Sequence, residues 1–445
     1  MKIAVVGAGI SGLSAAWLLS KRHDVVLFER NAHFGGHSDT EEIVEADLRT
    51  VPVDTGFIVY NERCYPNLVA LFDHLDVETA PTEMSFSVSL RDGAYEYSGN
   101  GAVGLFAQRR NLLSPTHWFM VRDIVRFFGE VSELDANNID PNLSVGEWLV
   151  ASGYGDAFVC RHILPMGASI WSTPAQEMLG FPMAAFARFL SNHGLLIPNV
   201  AKRPIWRTVL GGSREYVKRL LSDFSGMHSV EAPVACVARA GSSVQVTMVD
   251  GSSDSFDHCV IATHANEALA LLDDADQPER SLLGSFSYAK NETYLHTDAR
   301  LMPKRKRAWS SWNYVGDECS QRLSVSYWMN RLQPLTTKSD YFVTLNPWRS
   351  IAEDHIIKRV NYEHPLFDVQ AMTAQRDLWS LQGRRRTWFA GSYFGYGFHE
   401  DGLQSGLAVA EDLGGVRRPW SVEGARDRIL SPAARQFPQQ LEAAQ

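Results

Sequence analysis

The residues with the clearest chemical spacing are three glycines near the N-terminus, in the run Gly7-Ala8-Gly9-Ile10-Ser11-Gly12. This run lies between the apolar segments 2–6 and 13–19, which are predicted to be a strand and a helix. Glycines in such a turn let backbone N–H groups approach a pyrophosphate at the N-terminus of the helix. Glu29 ends a second apolar segment about twenty positions after Gly9, where a carboxylate accepts hydrogen bonds from ribose hydroxyls. The spacing therefore predicts a Rossmann unit that binds a dinucleotide.

A second glycine pair indicates which dinucleotide is bound. Arg30 leads into the run Gly35-Gly36-His37-Ser38, and Thr55-Gly56-Phe57-Ile58 follows one further apolar segment. These runs resemble the FAD-dependent amine-oxidase-like flavoproteins, a superfamily that includes monoamine oxidases, protoporphyrinogen oxidase and phytoene desaturases. The resemblance implies that both runs contact FAD, together with Arg30, Glu29 and the first glycine turn. Relatives usually have arginine where this chain has His37.

Later segments occur in the order that this resemblance implies for an FAD domain. They are a glycine pair at 211–212, Val234 beside the adenine edge, and Ala262 on a strand that returns to the cofactor. Gly391-Ser392 is expected near the flavin ribityl chain, and Gly402-Leu403-Gln404 is expected at the start of the last helix. Relatives commonly have an acidic residue in place of Ser392, whose hydroxyl offers a weaker version of the same contact.

The resemblance also implies the fold class and the domain organisation. We expect an α/β chain, α+β overall, in which a Rossmann-like FAD-binding domain of the glutathione-reductase type is interleaved with a substrate domain of mixed sheet and helices. The FAD domain is expected at 1–60, 204–267 and 381–415, the substrate domain at 61–203 and 268–380, and a C-terminal tail at 416–445.

Local patterns predict further elements inside these limits. A helix is expected at 214–221, a strand at 230–234, and a hairpin whose turn is Asp250-Gly251. The β-rich, aromatic segments of the second insertion are 286–296, 308–314, 322–329 and 341–346.

Composition limits the classes of function. The 445 residues carry a formal charge of −9, which disfavours nucleic acid as a partner. The five cysteines are scattered without a CxxC pair or zinc spacing, so we expect reduced thiols, no metal and a cytoplasmic location. None follows Cys319, so the C-terminal cysteinyl flavin link of monoamine oxidases cannot form and FAD is expected to be non-covalent. Outside the glycine-interrupted segment 3–19 no uncharged apolar run reaches about 20 residues, and we expect a soluble protein that starts at Met1.

Aromatic side chains are the candidates for a substrate pocket over the flavin. Trp171, Trp312, Tyr327 and Tyr396 are expected to line it, and most other aromatic residues are expected in the core. Tyr396 and His399 precede the last helix and are the candidate catalytic residues. An imidazole exchanges protons near neutral pH, but the alternative is that His399 only holds its loop by a hydrogen bond.

Nearly the whole chain, to about Gly414, resembles a bacterial group of predicted NAD/FAD-binding amine oxidoreductases often encoded beside cyclopropane-fatty-acid synthase. This resemblance implies an FAD-dependent oxidoreductase that takes hydride or electrons from an apolar small molecule, fatty-acyl or lipid-like. The alternatives are a flavin-dependent double-bond isomerase of unsaturated fatty acids, an amine oxidase, and a flavin-binding partner protein without turnover. The electron acceptor, any part played by NAD(P)H and the oligomeric state stay open.

One segment suggests contact with a membrane. Residues 102–128 interleave Arg109, Arg110, Arg122 and Arg126 with leucines and aromatic residues. A basic, aromatic amphipathic surface can contact an anionic bilayer and admit a lipid tail, which would place the protein at the periphery of the inner membrane. The alternative is a pair of substrate-domain helices that pack their apolar face inward.

Overall fold

The computed structural model describes residues 1–134, 138–140, 142–174, 176–197, 202–319 and 324–430, apart from the side chain of Ala240. Its strands are β1 Lys2–Val6, β2 Asp24–Phe28, β3 Thr40–Val44, β4 Thr50–Asp54, β5 Tyr60–Asn61, β6 Thr79–Thr82, β7 Phe86–Leu90, β8 Tyr95–Ser98, β9 Trp206–Val209, β10 Met227–Ser229, β11 Val234–Ala240, β12 Ser243–Met248, β13 Ser253–Phe256, β14 His258–Ile261, β15 Tyr288–His296, β16 Trp312–Gly316, β17 Val325–Trp328, β18 Phe342–Leu345, β19 Ile356–Pro365 and β20 Thr387–Phe389.

The α-helices of the same residues are α1 Ile10–Leu19, α2 Pro66–His74, α3 Gly101–Leu105, α4 Pro115–Glu133, α5 Val145–Ala151, α6 Asp156–Phe158, α7 Leu164–Trp171, α8 Met183–Asn192, α9 Arg214–Ser222, α10 Ala265–Leu271, α11 Gln277–Leu283, α12 Met329–Leu332, α13 Val369–Gln375 and α14 His399–Gly414. A π-helical turn, Val159–Ile163, joins α6 to α7. None of the helices in the described ranges has the length and hydropathy needed to cross a bilayer.

A parallel sheet carries the predicted Rossmann unit. Its five strands run in the order β10, β2, β1, β14 and β20, so Val6 lies opposite Phe28 on one side and Ile261 on the other. The glycine turn connects β1 to α1, a helix that is buried along its whole length and packs against α14. The mixed α/β class and the Rossmann-like sheet are confirmed. The glutathione-reductase subtype and the domain limits stay predictions.

A second sheet combines two distant parts of the chain. Its seven strands run in the order β19, β15, β18, β17, β16, β7 and β8, and they are antiparallel except for the pair β16–β7. The predicted β-rich segments contain β15, β17 and β18 and overlap β16, which extends two residues further, and residues 320–323 lie outside the described ranges. Helix α7 packs against β16 and thereby joins the helical insertion to this sheet.

A buried carboxylate ties the last helix to the first insertion. Glu400 is fully buried and accepts hydrogen bonds from the backbone N–H groups of Asn67 and Leu68, at 3.0 and 2.9 Å, and from Asn67 Nδ2 at 2.8 Å. These backbone donors belong to the first turn of α2, where helical N–H groups have no partner within the helix. The contact therefore holds the N-terminus of α2 beside the first turn of α14.

The cysteine expectation is wrong for one pair. Cys160 and Cys319 form a disulfide, while Cys64, Cys236 and Cys259 are free. The π-helical turn and the loop after β16 carry the bonded pair, and their proximity is a product of tertiary folding that sequence spacing does not report.

The strand predicted at 230–234 is also wrong. β10 ends at Ser229 and β11 begins at Val234, so the residues between them form the connection. Pro233 lies in that connection and has no N–H to donate to a strand ladder. The predicted helix and hairpin are confirmed as α9 and the β12–β13 pair.

Candidate functional site

The glycine turn, residues 7–12, is packed on two sides and open on a third. Gly7 has φ +97°, and a Cβ there would lie 2.7 Å from the carbonyl oxygen of Ala262. A Cβ on Gly12 would lie 1.8 Å from the carbonyl oxygen of Gly7. A Cβ on Gly9 would meet nothing within 4 Å. The outer glycines therefore permit close backbone packing, and the middle one faces open space where a ligand can approach.

Glu29 lies at the end of β2 beside this turn. Its Oε2 accepts a hydrogen bond from the Ala8 N–H at 2.8 Å, and its Oε1 accepts one from the Asn31 N–H at 2.9 Å. An ionised carboxylate has about four acceptor positions, so two remain for a ligand. The neighbouring Arg30 pairs with Glu267 at 2.7 Å.

The second glycine pair packs directly on the first turn. Gly35 and Gly36 have φ values of +121° and +58°, and a Cβ on Gly36 would lie 3.0 Å from the Cα of Gly9. A Cβ on Gly56 would lie 2.2 Å from the carbonyl oxygen of His37, which accepts the Phe57 N–H. The three glycine-containing runs thus form one continuous backbone surface.

Imidazoles gather beside that surface. The His37 ring stacks on Tyr362 with a centroid separation of 4.9 Å, and it lies 5.4 Å from His364 and 6.4 Å from His264. Burial lowers the pKa of His37 to about 4 and the pKa of His364 to about 3. At neutral pH these two imidazoles are uncharged, so His37 supplies hydrogen-bonding nitrogens rather than the fixed charge of an arginine.

His399 is held by side chains rather than by its loop backbone. Its ring stacks on Phe57 at 3.8 Å, and its Nε2 lies 2.7 Å from the Tyr216 hydroxyl and 3.3 Å from Ser38 Oγ. Burial, followed by the proximity of His37, lowers the pKa of His399 to about 3. The imidazole is therefore neutral, fixed in orientation and close to the second glycine pair.

Tyr396 lies three positions earlier and also faces the cavity. Its hydroxyl accepts a hydrogen bond from Arg188 Nη1 at 3.3 Å, and burial raises its pKa. The phenol is therefore protonated at neutral pH and can act as a hydrogen-bond donor.

One cavity of about 2230 Å³ connects these features. Most residues predicted to bind cofactor or substrate line it: Gly7, Ala8, Gly9, Ile10, Ser11, Glu29, Arg30, Gly35, Gly36, His37, Thr55, Gly56, Phe57, Ile58, Val234, Ala262, Gly391, Ser392, Trp171, Trp312, Tyr327, Tyr396 and His399. The fold thus brings segments from the whole length of the chain to a single space.

Five predicted cofactor residues are not among those that line the cavity: Gly12, Ser38, Gly402, Leu403 and Gln404. Gly402 allows α14 to approach α1, because a Cβ there would lie 2.8 Å from Ile10 Cγ2. Gln404 is buried and donates to Glu400 Oε1 at 3.2 Å. These residues support the site by packing beneath it.

The sequence predicts Trp171 in the pocket, but it predicts neither β19 nor most of the side chains that form the apolar wall with Trp171. Strand β19 delivers Tyr362 and His364 to the cavity wall. Side-chain exposure alternates along much of β19, and an alternating pattern of this kind is the sequence signal that predicts a strand. Helices α4 and α7 supply the apolar wall that we call the apolar chamber: Val121, Ile124, Val125, Phe128, Met166, Ile170 and Trp171.

Comparisons with known proteins agree with this architecture. Residues 5–75 match the model of an NAD(P)-binding Rossmann-like domain. An uncharacterized protein of Methanocaldococcus jannaschii is 25% identical over 189 residues, which are 40% of this chain and 42% of that protein. The chain thus matches less than half the length of this curated relative.

Solved structures match over almost the whole chain. Cyclohexylamine oxidase from Brevibacterium oxydans IH-35A has a TM-score of 0.64 at 15% identity and covers 93% of this chain and 99% of its own. A putrescine oxidase bound to putrescine has a TM-score of 0.64 at 16% identity and covers 93% of this chain and 99% of its own. The chain has the fold of these oxidases. A fatty acid isomerase from P. acnes that produces CLA shares it too, with a TM-score of 0.62 at 15% identity and coverage of 92% and 97%.

These likenesses confirm the expected amine-oxidase-like architecture at the level of the fold. They include proteins named for amines and for fatty acids, so the shared architecture does not select a substrate. Substrate and chemistry have to be argued from the cavity of this chain.

Proposed function

We propose that the chain is an FAD-dependent oxidoreductase that takes hydride or electrons from an apolar small molecule, with FAD bound non-covalently. The observation that supports FAD is the single cavity that extends from the glycine turn to the apolar chamber. Its volume of about 2230 Å³ exceeds the roughly 300–1,000 Å³ of ordinary ligand sites, so it has room for a large cofactor and a substrate together. The open space at Gly9 and the free acceptor positions of Glu29 fit a diphosphate and a ribose.

Each glycine-containing run has a role in this proposal. Backbone N–H groups of the glycine turn and the N-terminus of α1 bind the diphosphate, and Glu29 binds the adenosine ribose. Val234 and Ser392 line the cavity, where Val234 would contact the adenine and the Ser392 hydroxyl would hydrogen-bond the ribityl chain. Bound FAD supplies an electron acceptor, and the protein positions the substrate and tunes the flavin. The proposed FAD domain comprises 1–60, 204–267 and 381–415, the substrate domain 61–203 and 268–380, and the C-terminal tail 416–445, of which 431–445 lie outside the described residues.

The end of the cavity near α14 has the groups that would act on the flavin and the substrate. His399, in the first turn of α14, lines the cavity, and the N–H groups of this turn would stabilise negative charge on a reduced flavin bound beside it. His399 is neutral and held by Tyr216, so it offers a hydrogen-bonding nitrogen without adding charge. Tyr396 is a protonated donor beside it. These two side chains are the proposed catalytic residues.

The substrate is proposed to be a fatty-acyl or lipid-like molecule. The apolar chamber, together with Trp312 and Tyr327 of the second sheet, provides walls suited to a hydrocarbon chain. Trp171 packs against Phe181 and Phe189, each with a centroid separation of 4.6 Å, so this part of the chamber wall is aromatic.

Two other reactions use the same architecture. A redox-neutral double-bond isomerase is favoured by the fold shared with the P. acnes isomerase, and an amine oxidase by the fold shared with the two amine oxidases. A flavin-binding partner without turnover is the remaining alternative. Net electron transfer separates the first proposal from the isomerase and the partner protein, and the substrate that reduces the flavin separates it from an amine oxidase.

Peripheral membrane contact is the partner interaction that we propose for α3–α4. Val103, Leu113, Phe119 and Val125 are exposed on this part of the surface. Val125 also lines the cavity, so the exposed apolar residues continue into the apolar chamber. Arg109 and Arg110 of the same segment are exposed and complement anionic headgroups, whereas Arg122 and Arg126 pair with Asp123 and Glu130. A lipid substrate could enter from the cytoplasmic face of a membrane by this route.

The cofactor site is tested by the double variant Gly9→Ala/Glu29→Ala. We expect FAD affinity to fall about tenfold or more, because a Cβ enters the ligand space and a charged acceptor is lost. Equilibrium titration monitored by flavin fluorescence measures the effect. Gly129→Ala/Glu353→Ala is the matched control, since both positions are open or exposed and neither lines the cavity. Unchanged affinity in a folded double variant would contradict the site.

The reaction class is tested by mixing the holoprotein anaerobically with linoleate, phosphatidylglycerol or oleylamine. We expect lasting loss of the oxidised flavin absorbance with an acyl substrate, because hydride stays on the flavin when no acceptor is present. Transient loss with an isomerised product would instead identify the isomerase. Dithionite provides the control for full reduction. Bleaching by oleylamine alone rules out the lipid proposal, and no bleaching by any substrate favours the partner protein.

The membrane contact is tested by co-sedimentation with vesicles of phosphatidylcholine and phosphatidylglycerol. The variant Leu113→Ser/Phe119→Ser should release most of the bound protein, because it removes exposed apolar area next to the arginines. The control Met227→Ser/Val249→Ser removes similarly exposed residues from β10 and the β12–β13 turn. Equal binding of the two variants would show that α3–α4 is not the contact.

A further inference from the structure

The cationic side chains that line the cavity are almost all paired with carboxylates. Four lysines and arginines are paired: Arg30 with Glu267 at 2.7 Å, Arg331 with Glu83 at 2.7 Å, Lys358 with Asp39 at 2.9 Å, and Lys290 with Glu363 at 3.9 Å. The fifth is Arg203, which has no carboxylate partner within the described part of the chain. The Nε of Arg203 donates to the carbonyl oxygen of Ile197 at 2.8 Å.

Arg203 is partly removed from water. Burial lowers the pKa of its guanidinium, yet an arginine stays protonated at neutral pH. A partly buried charge without a counter-ion is unfavourable, and a ligand anion that pairs with it would relieve that cost. The position therefore favours an anionic ligand and disfavours a cationic one.

A second polar group beside Arg203 is also incompletely paired. His162 lines the cavity, its Nδ1 lies 2.9 Å from the Tyr97 hydroxyl, and its Nε2 has no hydrogen-bond partner among the described residues. Burial, and then the positive charge of Arg203, lower the pKa of His162 to about 4, so this imidazole is uncharged at neutral pH. Together they make a polar corner in a wall that is otherwise apolar.

The polar corner lies near the opening of the cavity. Ile205, two positions after Arg203, lines the cavity and is 64% exposed. Val125 of α4 also lines the cavity and is 62% exposed, so the apolar chamber is open to solvent at this residue. A molecule with one charged end at Arg203 could therefore extend its apolar end into the chamber.

We propose that Arg203 binds the anionic head group of a single-chain amphiphile, a carboxylate or a phosphate monoester, whose alkyl chain occupies the apolar chamber. This assignment rests on the proposed function, because it names the substrate class for the same cavity. A guanidinium binds either anion by two parallel hydrogen bonds, which fixes the head group and sets how far the chain reaches. A long-chain amine is repelled at this position.

Binding of four ligands to the FAD-loaded protein tests the assignment. The ligands share one alkyl chain and differ in head group: oleate, oleoyl lysophosphatidate, oleyl alcohol and oleylamine. Calorimetry therefore separates the contribution of the head group to affinity from that of the chain. Arg203→Gln should weaken one or both anionic ligands about tenfold or more and leave oleyl alcohol within about twofold. The affinity of Arg203→Lys for the anionic ligands should lie between those of the wild type and Arg203→Gln, since lysine keeps the charge and loses the paired hydrogen bonds. Loss for oleate assigns the carboxylate, and loss for lysophosphatidate assigns the phosphate.

Lys202→Gln is the matched control, because this neighbouring cation does not line the cavity. The assignment is overturned if Arg203→Gln binds both anions as tightly as the wild type does. It is also overturned if the substitution weakens the binding of oleyl alcohol as much as that of the anions, or if oleylamine is the tightest ligand of the wild type. Binding is measured without turnover, so these outcomes leave the flavin proposal standing. Absence of FAD from the wild-type protein would instead overturn the proposed function. Arg203→Lys preserves the test if Arg203→Gln does not fold.

Discussion

The site depends on backbone-to-backbone packing between segments that are far apart in the chain. The first helix can approach the last one only because glycine occupies the contact: a Cβ on Gly406 would lie 2.2 Å from the carbonyl oxygen of Ser11. The turn before that helix touches β14 in the same way, through Gly7 and the Ala262 carbonyl. A side chain at either position would separate the elements and widen the turn. The cavity therefore has a wall of backbone groups, which is the surface that a phosphate requires.

Local spacing predicted the parts of this arrangement that are contiguous. The strand, glycine turn, helix and second strand up to Glu29 follow from periodicity and glycine positions within thirty residues. The later segments of the FAD domain are predicted only from the resemblance to the flavoprotein superfamily, and most of their predicted residues line the cavity. Gly402, Leu403 and Gln404 do not, because the buried start of α14 packs on α1 there.

Contacts between elements that are far apart in the chain could not be predicted from the sequence. The Cys160–Cys319 disulfide joins elements whose spacing carries no signal, and β19 pairs with β15 although three other strands lie between them in the chain. The gathering of His37 with His364 and Tyr362 depends on that pairing. It also changes the chemistry, since burial makes His37 a neutral group where relatives usually have a charge. In our account the cofactor diphosphate is consequently held mainly by backbone N–H groups.

The central claim is that this cavity binds FAD without a covalent bond. Its most direct test is to heat-denature the purified protein, remove the precipitate and identify the released cofactor by chromatography and mass. We expect FAD equimolar with the chain in the supernatant and no flavin in the precipitate. Release of NAD(P) alone, flavin retained on the polypeptide, or failure of the protein to acquire FAD when incubated with it would contradict the account.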